Sequence, residues 1–140
     1  MEKDVIISIK GMQEFEQTGK DTIELVTRGS LGEQAGVYTL RYEESELTGL
    51  AGVTTTFRLE PGQVTLERVG PLRSKMVFQE GVPHESLYEM DFGALMMTVC
   101  AKSIEASIGN NGGTVDLLYT IAIENSDAGI VEYHLEIKPK

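Results

Sequence analysis

A chain of 140 residues can form one domain, residues 1–140, around a single hydrophobic core without a metal or disulfide to hold it together. Its 22 acidic and 12 basic side chains give a net charge of -10, which argues against nucleic acid or an anionic membrane as a partner. The lone Cys100 excludes an internal disulfide, and the sequence shows neither a basic leader nor an apolar run of membrane-spanning length. We therefore expect a cytoplasmic protein.

The first third of the chain alternates apolar and polar residues in short runs, which is typical of β-strands. Residues 5–9 and 22–28 predict two strands, and we expect residues 13–20 to connect them, with or without a helical turn. Glycines break the chain before a third predicted strand over residues 37–46. That strand ends in three acidic residues, which we expect to be solvated rather than to bind a metal: Glu43, Glu44 and Glu46.

The clearest alternation lies in residues 53–80, where three short strands and two tight turns are predicted. Antiparallel pairing across tight turns places Arg68 opposite Thr55 on one side and Met76 on the other, among apolar side chains. The Pro-Gly sequence of the first turn favours a type II turn, so a bulge that shifts this register is an open alternative.

The second half continues the pattern. Residues 84–92 predict a strand with Tyr88 and Phe92 on one face, and residues 94–108 fit either a strand or an amphipathic helix; their flanking strands favour a strand. A glycine- and asparagine-rich turn precedes a strand over residues 115–123, and residues 125–129 predict a further turn before the last strand. Nine or ten short strands at this spacing predict an all-β sandwich or barrel.

No arrangement of residues suited to catalysis is visible in the sequence. His84 and His134 have no second ligand at metal-binding spacing, and Ser86 lacks the G-x-S-x-G setting of a nucleophile. The remaining enzymatic alternative is an acid or base at a barrel mouth, either His84 or the Glu43 to Glu46 group. We therefore expect no catalytic residue, no metal and no cofactor, and a protein that is not an enzyme.

Arg68 is the residue that points to a function, because a buried guanidinium needs an acid, a hydroxyl network or an anionic ligand beside it. Glu80, Thr55 and inward tyrosine hydroxyls are candidates for that role. The competing interpretation is a structural arginine at the barrel rim, with its stem packed and its head solvated. If Arg68 binds an anion, the predicted pocket consists of Arg68, Tyr42, Tyr88, Tyr119, Met76 and Phe78.

The order and spacing of several residues resemble the YwiB-like family of uncharacterised bacterial proteins. The residues that carry the resemblance are Tyr42, Glu44, Thr54, Thr55, Thr56, Arg68, Gly70, Met76, Phe78, Gly81, Tyr88, Phe92, Gly93, Gly113 and Tyr119. The resemblance implies an antiparallel lipocalin-like or calycin-like β-barrel of about 8–10 strands and a bacterial cytoplasmic setting, and it implies no activity. Met90 stands where the family pattern has threonine, which makes a pocket at that position less polar.

Together these observations predict a non-catalytic binding protein for a small amphipathic or anionic ligand in the barrel interior. The alternative is a barrel filled by its own side chains that acts as a protein–protein interaction module or a homodimer.

Overall fold

The computed structural model describes residues 2–15, 19–46, 50–124 and 127–140, and the described residues form ten β-strands. Among them, no helix is long and apolar enough to cross a membrane. In chain order the strands are β1 (Glu2–Phe15), β2 (Gly19–Gln34), β3 (Val37–Glu43), β4 (Thr54–Glu60), β5 (Gln63–Val69), β6 (Ser74–Phe78), β7 (Pro83–Met90), β8 (Gly93–Gly109), β9 (Gly112–Ile123) and β10 (Asp127–Pro139).

All ten strands belong to one antiparallel sheet with the order β6-β5-β4-β3-β2-β1-β10-β9-β8-β7. Strand β1 pairs with β10, and the sheet curls so that its two edge strands, β6 and β7, meet. At that seam the backbones of Arg73 and Glu89 exchange two hydrogen bonds of 2.8 Å, and the Ser86 hydroxyl donates to the Lys75 carbonyl at 2.6 Å. The predicted all-β antiparallel barrel is therefore confirmed, and the barrel is nearly closed.

The predicted connection over residues 13–20 is wrong for the residues that the structure describes. Strand β1 continues to Phe15 and β2 begins at Gly19, with Glu14 paired to Lys20, while residues 16–18 lie outside the described residues. The described side chains of this segment are mostly exposed, which accounts for its polar composition. Exposed hairpin strands carry little of the apolar alternation by which a strand is recognised.

The predicted glycine break before residue 37 is confirmed at Gly36, which lies in the turn between β2 and β3, and is wrong at Gly29 and Gly32, which lie inside β2. A Cβ at Gly29 would lie 2.5 Å from the Arg41 carbonyl oxygen and 2.6 Å from Ile7 Cδ1. Glycine at this position therefore permits a close approach of neighbouring strands rather than a turn. The turn itself is at residues 35–36, where both φ angles are positive.

In the central hairpins, the predicted pair of Arg68 with Thr55 is confirmed, and the pairing over residues 54–69 runs without a bulge. The predicted pair of Arg68 with Met76 is wrong, because Arg68 pairs with Ser74. The turn between β5 and β6 is shorter than predicted, so the residue of β6 that pairs with Arg68 comes two positions earlier in the sequence. A shift of two residues keeps the same side chains on the inner face, which is why the direction of Arg68 is unaffected.

In the second half, residues 94–108 form a strand, as predicted, with a bulge between Ala101 and Ser103. Phe92 is predicted to share a strand face with Tyr88, but it lies in the β7–β8 turn and is 87% exposed. The predicted turn over residues 125–129 is partly outside the described residues, and β10 already includes residues 127–129.

The middle of the barrel is filled by inward side chains of nearly every strand. Tyr119 packs on Phe78 with their ring centroids 4.4 Å apart, and Phe57 packs against Tyr42 and Tyr133 at 6.5 and 6.4 Å. Free space for a ligand is therefore to be sought at the ends of the barrel. The largest side chains that are almost wholly buried are Phe57, Phe78, Ile7, Leu40, Leu66, Leu117 and Leu135.

Candidate functional site

One end of the barrel holds a cavity of about 350 Å³, which we call the mouth cavity. It is lined by residues of β1, β2 and β10, of the β3–β4 connection, and of the final parts of β3, β5 and β7. One wall is apolar and is formed by Ile9, Met12, Ile23, Leu25, Leu50 and Val131. A second wall is polar and is formed by Tyr42, Glu44, Arg68, Tyr88 and Tyr133, and the exposed Gln13, Asp21 and Thr22 lie at the rim.

Gly11 leaves room for this cavity. It faces inward on β1, between its direct partners Tyr133 on β10 and Ile23 on β2. A Cβ at this position would lie 3.2 Å from Ile23 Cγ2 and 3.4 Å from Tyr133 Cε1. Any larger side chain would therefore occupy the space between the apolar and polar walls.

Arg68 belongs to a polar row that crosses four strands on the inner face. Tyr42 pairs with Thr55, Thr55 with Arg68, and Arg68 with Ser74. Thr55 and Ser74 are 0% and 6% exposed, so hydroxyl groups flank the arginine on both sides within the sheet. Towards the filled middle of the barrel, the next inward residue of β5 is Leu66, which is wholly buried.

The guanidinium of Arg68 has unmet hydrogen-bonding capacity. Its Nη2 donates to the Tyr133 hydroxyl at 3.3 Å, which is long for a hydrogen bond from a charged group. Its Nε is buried and has no hydrogen-bond partner among the described residues, and the same holds for Ser74 Oγ on the paired strand. A buried donor left unsatisfied destabilises a protein by about 1–3 kcal/mol, so the arrangement is not optimised for stability.

Arg68 carries a full positive charge. Desolvation by burial acts to lower the pKa of the guanidinium, but the phenolic oxygens of Tyr133, Tyr119 and Tyr42 outweigh it and raise the pKa above its ordinary value. The mouth cavity thus contains a permanent cation beside several aromatic rings.

Glu44 places a carboxylate on the same wall. Thr55 Oγ1 donates to Glu44 Oε2 at 2.5 Å, and the Tyr42 side chain is also hydrogen-bonded to Glu44. Burial, and next the charge of Glu44, raise the pKa of Tyr42, so this phenol stays protonated and acts as a donor. The prediction of a solvated acidic cluster holds for Glu43 and Glu46, which are exposed, and is wrong for the half-buried Glu44.

The structure brings three of the predicted pocket residues together at the mouth cavity: Arg68, Tyr42 and Tyr88. The other three lie deeper. Tyr119 is 3% exposed and stacks on Tyr133, and burial raises its pKa; Met76 and Phe78 are 3% and 0% exposed within the core. None of these three lines the cavity.

Two residues of the polar wall were not predicted as part of a site, namely Tyr133 and Glu44. Tyr133 shares a face with apolar residues of the last strand, a signal that it points inward, but its approach to Arg68 depends on the long-range pairing of β1 with β10. Glu44 shares its parity with Tyr42, and that shared face was the available signal.

The histidines lie away from the mouth cavity. His84 Nε2 is hydrogen-bonded to Gln79 Oε1 at 2.7 Å, and His134 Nδ1 lies 2.6 Å from Asp116 Oδ1 on the outer face. Over the part of the chain that the structure describes, no group of three or more His, Cys, Asp or Glu side chains is placed to hold a metal ion.

Comparison with known proteins is consistent with this barrel. A family model described as a domain of unknown function (DUF1934) matches residues 7–137. A relative described as the uncharacterized beta-barrel protein YwiB of Bacillus subtilis (strain 168) is 26% identical over 125 residues, which cover 88% of this chain and 86% of the relative. The crystal structure of the ywiB protein from Bacillus subtilis superposes with a TM-score of 0.81 and 22% identity, covering 96% of this chain and 92% of that one. The resemblance to a YwiB-like family is confirmed.

Proposed function

The chain belongs to the DUF1934 family, and from the geometry of its barrel we propose that it is a non-catalytic protein that binds a small amphipathic molecule with an anionic group. The ligand lies in the mouth cavity, with its anionic group on Arg68 and its apolar part on the apolar wall. This use of a barrel interior is the one expected of a lipocalin-like or calycin-like protein.

The observation that carries the proposal is the buried Nε of Arg68, which lies beside a cavity and has no hydrogen-bond partner in the described part of the chain. A cation with an unmet donor is poorly suited to stabilising an empty barrel, and it is well suited to an incoming carboxylate or sulfonate oxygen. The hydroxyl of Tyr133 already touches the guanidinium, and Tyr88 lines the same wall. These groups give an anion several donors from one side.

The size and lining of the cavity define the class of ligand. Ligand pockets in proteins range over about 300–1,000 Å³ and are mostly apolar with a few placed polar groups. At about 350 Å³ the mouth cavity lies at the lower end of that range. A long lipid chain would have to displace the packed core, in which Phe57 and Phe78 are 1% and 0% exposed, so the ligand is small.

Anilinonaphthalene sulfonate, a fluorescent amphipathic anion, is a suitable probe for this site. We expect saturable binding to the folded wild-type protein and an affinity about tenfold or more weaker in Arg68→Ala, because the anion loses its charged donor. The matched control is Arg58→Ala, since Arg58 lies on the outer face of β4 with a half-exposed side chain paired to Glu60. Equal probe affinity in Arg68→Ala and wild type would remove Arg68 from the site.

A second candidate function is a protein–protein contact or homodimer through the outside of the barrel. It is favoured by exposed apolar side chains on β7–β8, where Leu87 and Met96 are directly paired and 44% and 42% exposed, next to the exposed Phe92. It predicts that sedimentation equilibrium shows a dimer that Met96→Ser weakens. A monomer at all concentrations would eliminate the homodimer.

We also propose a bacterial cytoplasmic setting, without nucleic acid or membrane partners. The proposal is supported by the Bacillus relative, the single cysteine and the net charge of -10. Fractionation of the native host, with the protein detected by antibody, tests it; recovery in the membrane or extracellular fraction would contradict it.

A further inference from the structure

We infer that the ligand of the mouth cavity is a small zwitterion, with a cationic group beside its anionic group and an apolar side chain, as in an apolar amino acid or dipeptide. This inference rests on the proposed function and specifies its ligand. It follows from the charges that line the cavity rather than from Arg68 alone.

The charges that line the cavity suit a zwitterion better than a simple anion. Arg68 is positive, while Glu44 on the polar wall and Asp21 at the rim are negative, so the lining carries one more negative than positive charge. The whole chain adds a negative field of the same sign. An anion would pair with Arg68 and be repelled by both acids, whereas a zwitterion gives the acids a cation to contact.

Both charged groups are arranged to reach one small molecule. Thr55 is the direct cross-strand partner of Arg68, and its hydroxyl donates to Glu44, so the acid and the arginine lie on either side of one threonine. Glu44 lies two residues beyond Tyr42, which is the direct partner of Thr55. The backbones of Glu44 and Arg68 are therefore about two strand spacings and two residues apart, roughly 11–12 Å, and both side chains are long. Tyr42 lies close enough to both charges to be affected by them. Besides burial, which raises the pKa of Tyr42, the charge of Glu44 raises it and the charge of Arg68 lowers it.

The hydrogen-bonding groups match the two ends of such a ligand. The Arg68 guanidinium donates to the anionic group, and the Tyr133 hydroxyl beside it is a second donor. Glu44 accepts from the cationic group; a carboxylate has about four acceptor positions, so its bonds with Thr55 and Tyr42 are compatible with a ligand ammonium. The apolar side chain packs on the wall formed by Ile23, Leu25, Leu50 and Val131.

Three probes with the same phenylethyl body separate the charge requirements: phenylalanine has both charges, phenylpropanoate only the negative one, and phenylethylamine only the positive one. By isothermal titration calorimetry we expect wild-type protein to bind phenylalanine about tenfold or more tightly than either other probe. Glu44→Gln should weaken the affinity for phenylalanine about tenfold. The affinity for phenylpropanoate should be unchanged or higher. Glu43→Gln is the matched control, since Glu43 is exposed on the outer face and should change neither.

The outcomes separate the two proposals. If phenylpropanoate binds wild-type protein as tightly as phenylalanine, the zwitterion inference is overturned while anion binding at Arg68 stands. If none of the three phenylethyl probes binds and anilinonaphthalene sulfonate does not bind either, both the zwitterion inference and the proposed function are overturned. The wild-type affinity ratio tests the inference even if Glu44→Gln does not fold, and thermal unfolding of that variant shows whether it has folded.

Discussion

Replacement of Arg68 by methionine distinguishes an arginine kept for binding from one kept for structure. Methionine is flexible and reaches as far as the position of the arginine Nε, so it replaces the packed stem without a charge or a donor. The space of the terminal guanidinium atoms is added to the mouth cavity. If Arg68 is structural, the substitution should destabilise the barrel. If it is retained for a ligand, the ligand-free protein should tolerate or gain from the loss of a buried charge.

The expected magnitude follows from the contacts of Arg68. The substitution removes the unsatisfied Nε, which destabilises wild type by about 1–3 kcal/mol. It also removes the bond to Tyr133; at 3.3 Å we place it at the weak end for a charged donor, about 1.5 kcal/mol. The buried charge disappears as well. We therefore expect Arg68→Met to be about 1 kcal/mol more stable, with a melting temperature about 3 °C higher for a chain of this length.

Urea unfolding followed by circular dichroism measures this change as a shift in midpoint at an unchanged slope. Arg58→Met removes the same charge from the outer surface, where we expect an effect within about 0.5 kcal/mol. A loss of more than about 1 kcal/mol in Arg68→Met, with Arg58→Met unaffected, would refute the reasoning and make Arg68 a structural residue.

Three further variants test other parts of the account. Gly11→Val should fill the mouth cavity and weaken binding of anilinonaphthalene sulfonate about tenfold or more in a barrel with normal circular dichroism; unchanged binding would place the probe elsewhere. Phe57→Ala should lower the free energy of unfolding by about 3–5 kcal/mol in urea, because Phe57 is 1% exposed; a loss below about 1 kcal/mol would contradict the filled core. Burial raises the pKa of Tyr42 and Tyr119, so their contribution to stability is full below the ordinary tyrosine pKa of about 10 and is lost as the pH rises above it. Replacing both by phenylalanine should flatten the fall in unfolding free energy between about pH 10 and 11.5, and an equally steep fall would show that other groups cause it.

The strands were predictable wherever one face is apolar, because period-two alternation is a local signal. That signal was enough to direct Arg68 inward and to pair it with Thr55. It failed at Gly29, where glycine allows close strand contact instead of a turn, and at the short turn that pairs Arg68 with Ser74. Both depend on which atoms approach from other strands, and a local pattern carries no such information.

The candidate site was predictable only in part for the same reason. The inner face was predictable for Arg68, Tyr42 and Tyr88. Strands β3 and β5 pair with strands that are next to them in the sequence, and β7 is an edge strand at the seam. Tyr133 reaches Arg68 because β10 pairs with β1 and the sheet closes, which is a property of the whole fold. The expected positions of Met76 and Phe78 in the pocket did not account for how completely side chains fill the middle of the barrel.

The most direct test of ligand binding at the mouth cavity is a titration of nitrogen-15-labelled protein with anilinonaphthalene sulfonate, followed by amide chemical shifts. The account predicts that the largest shift changes cluster at Gly11, Tyr42, Arg68 and Tyr133, and that Arg68→Met removes them. Changes centred instead on the opposite end of the barrel, around Gly62, or spread over the outer surface would contradict it.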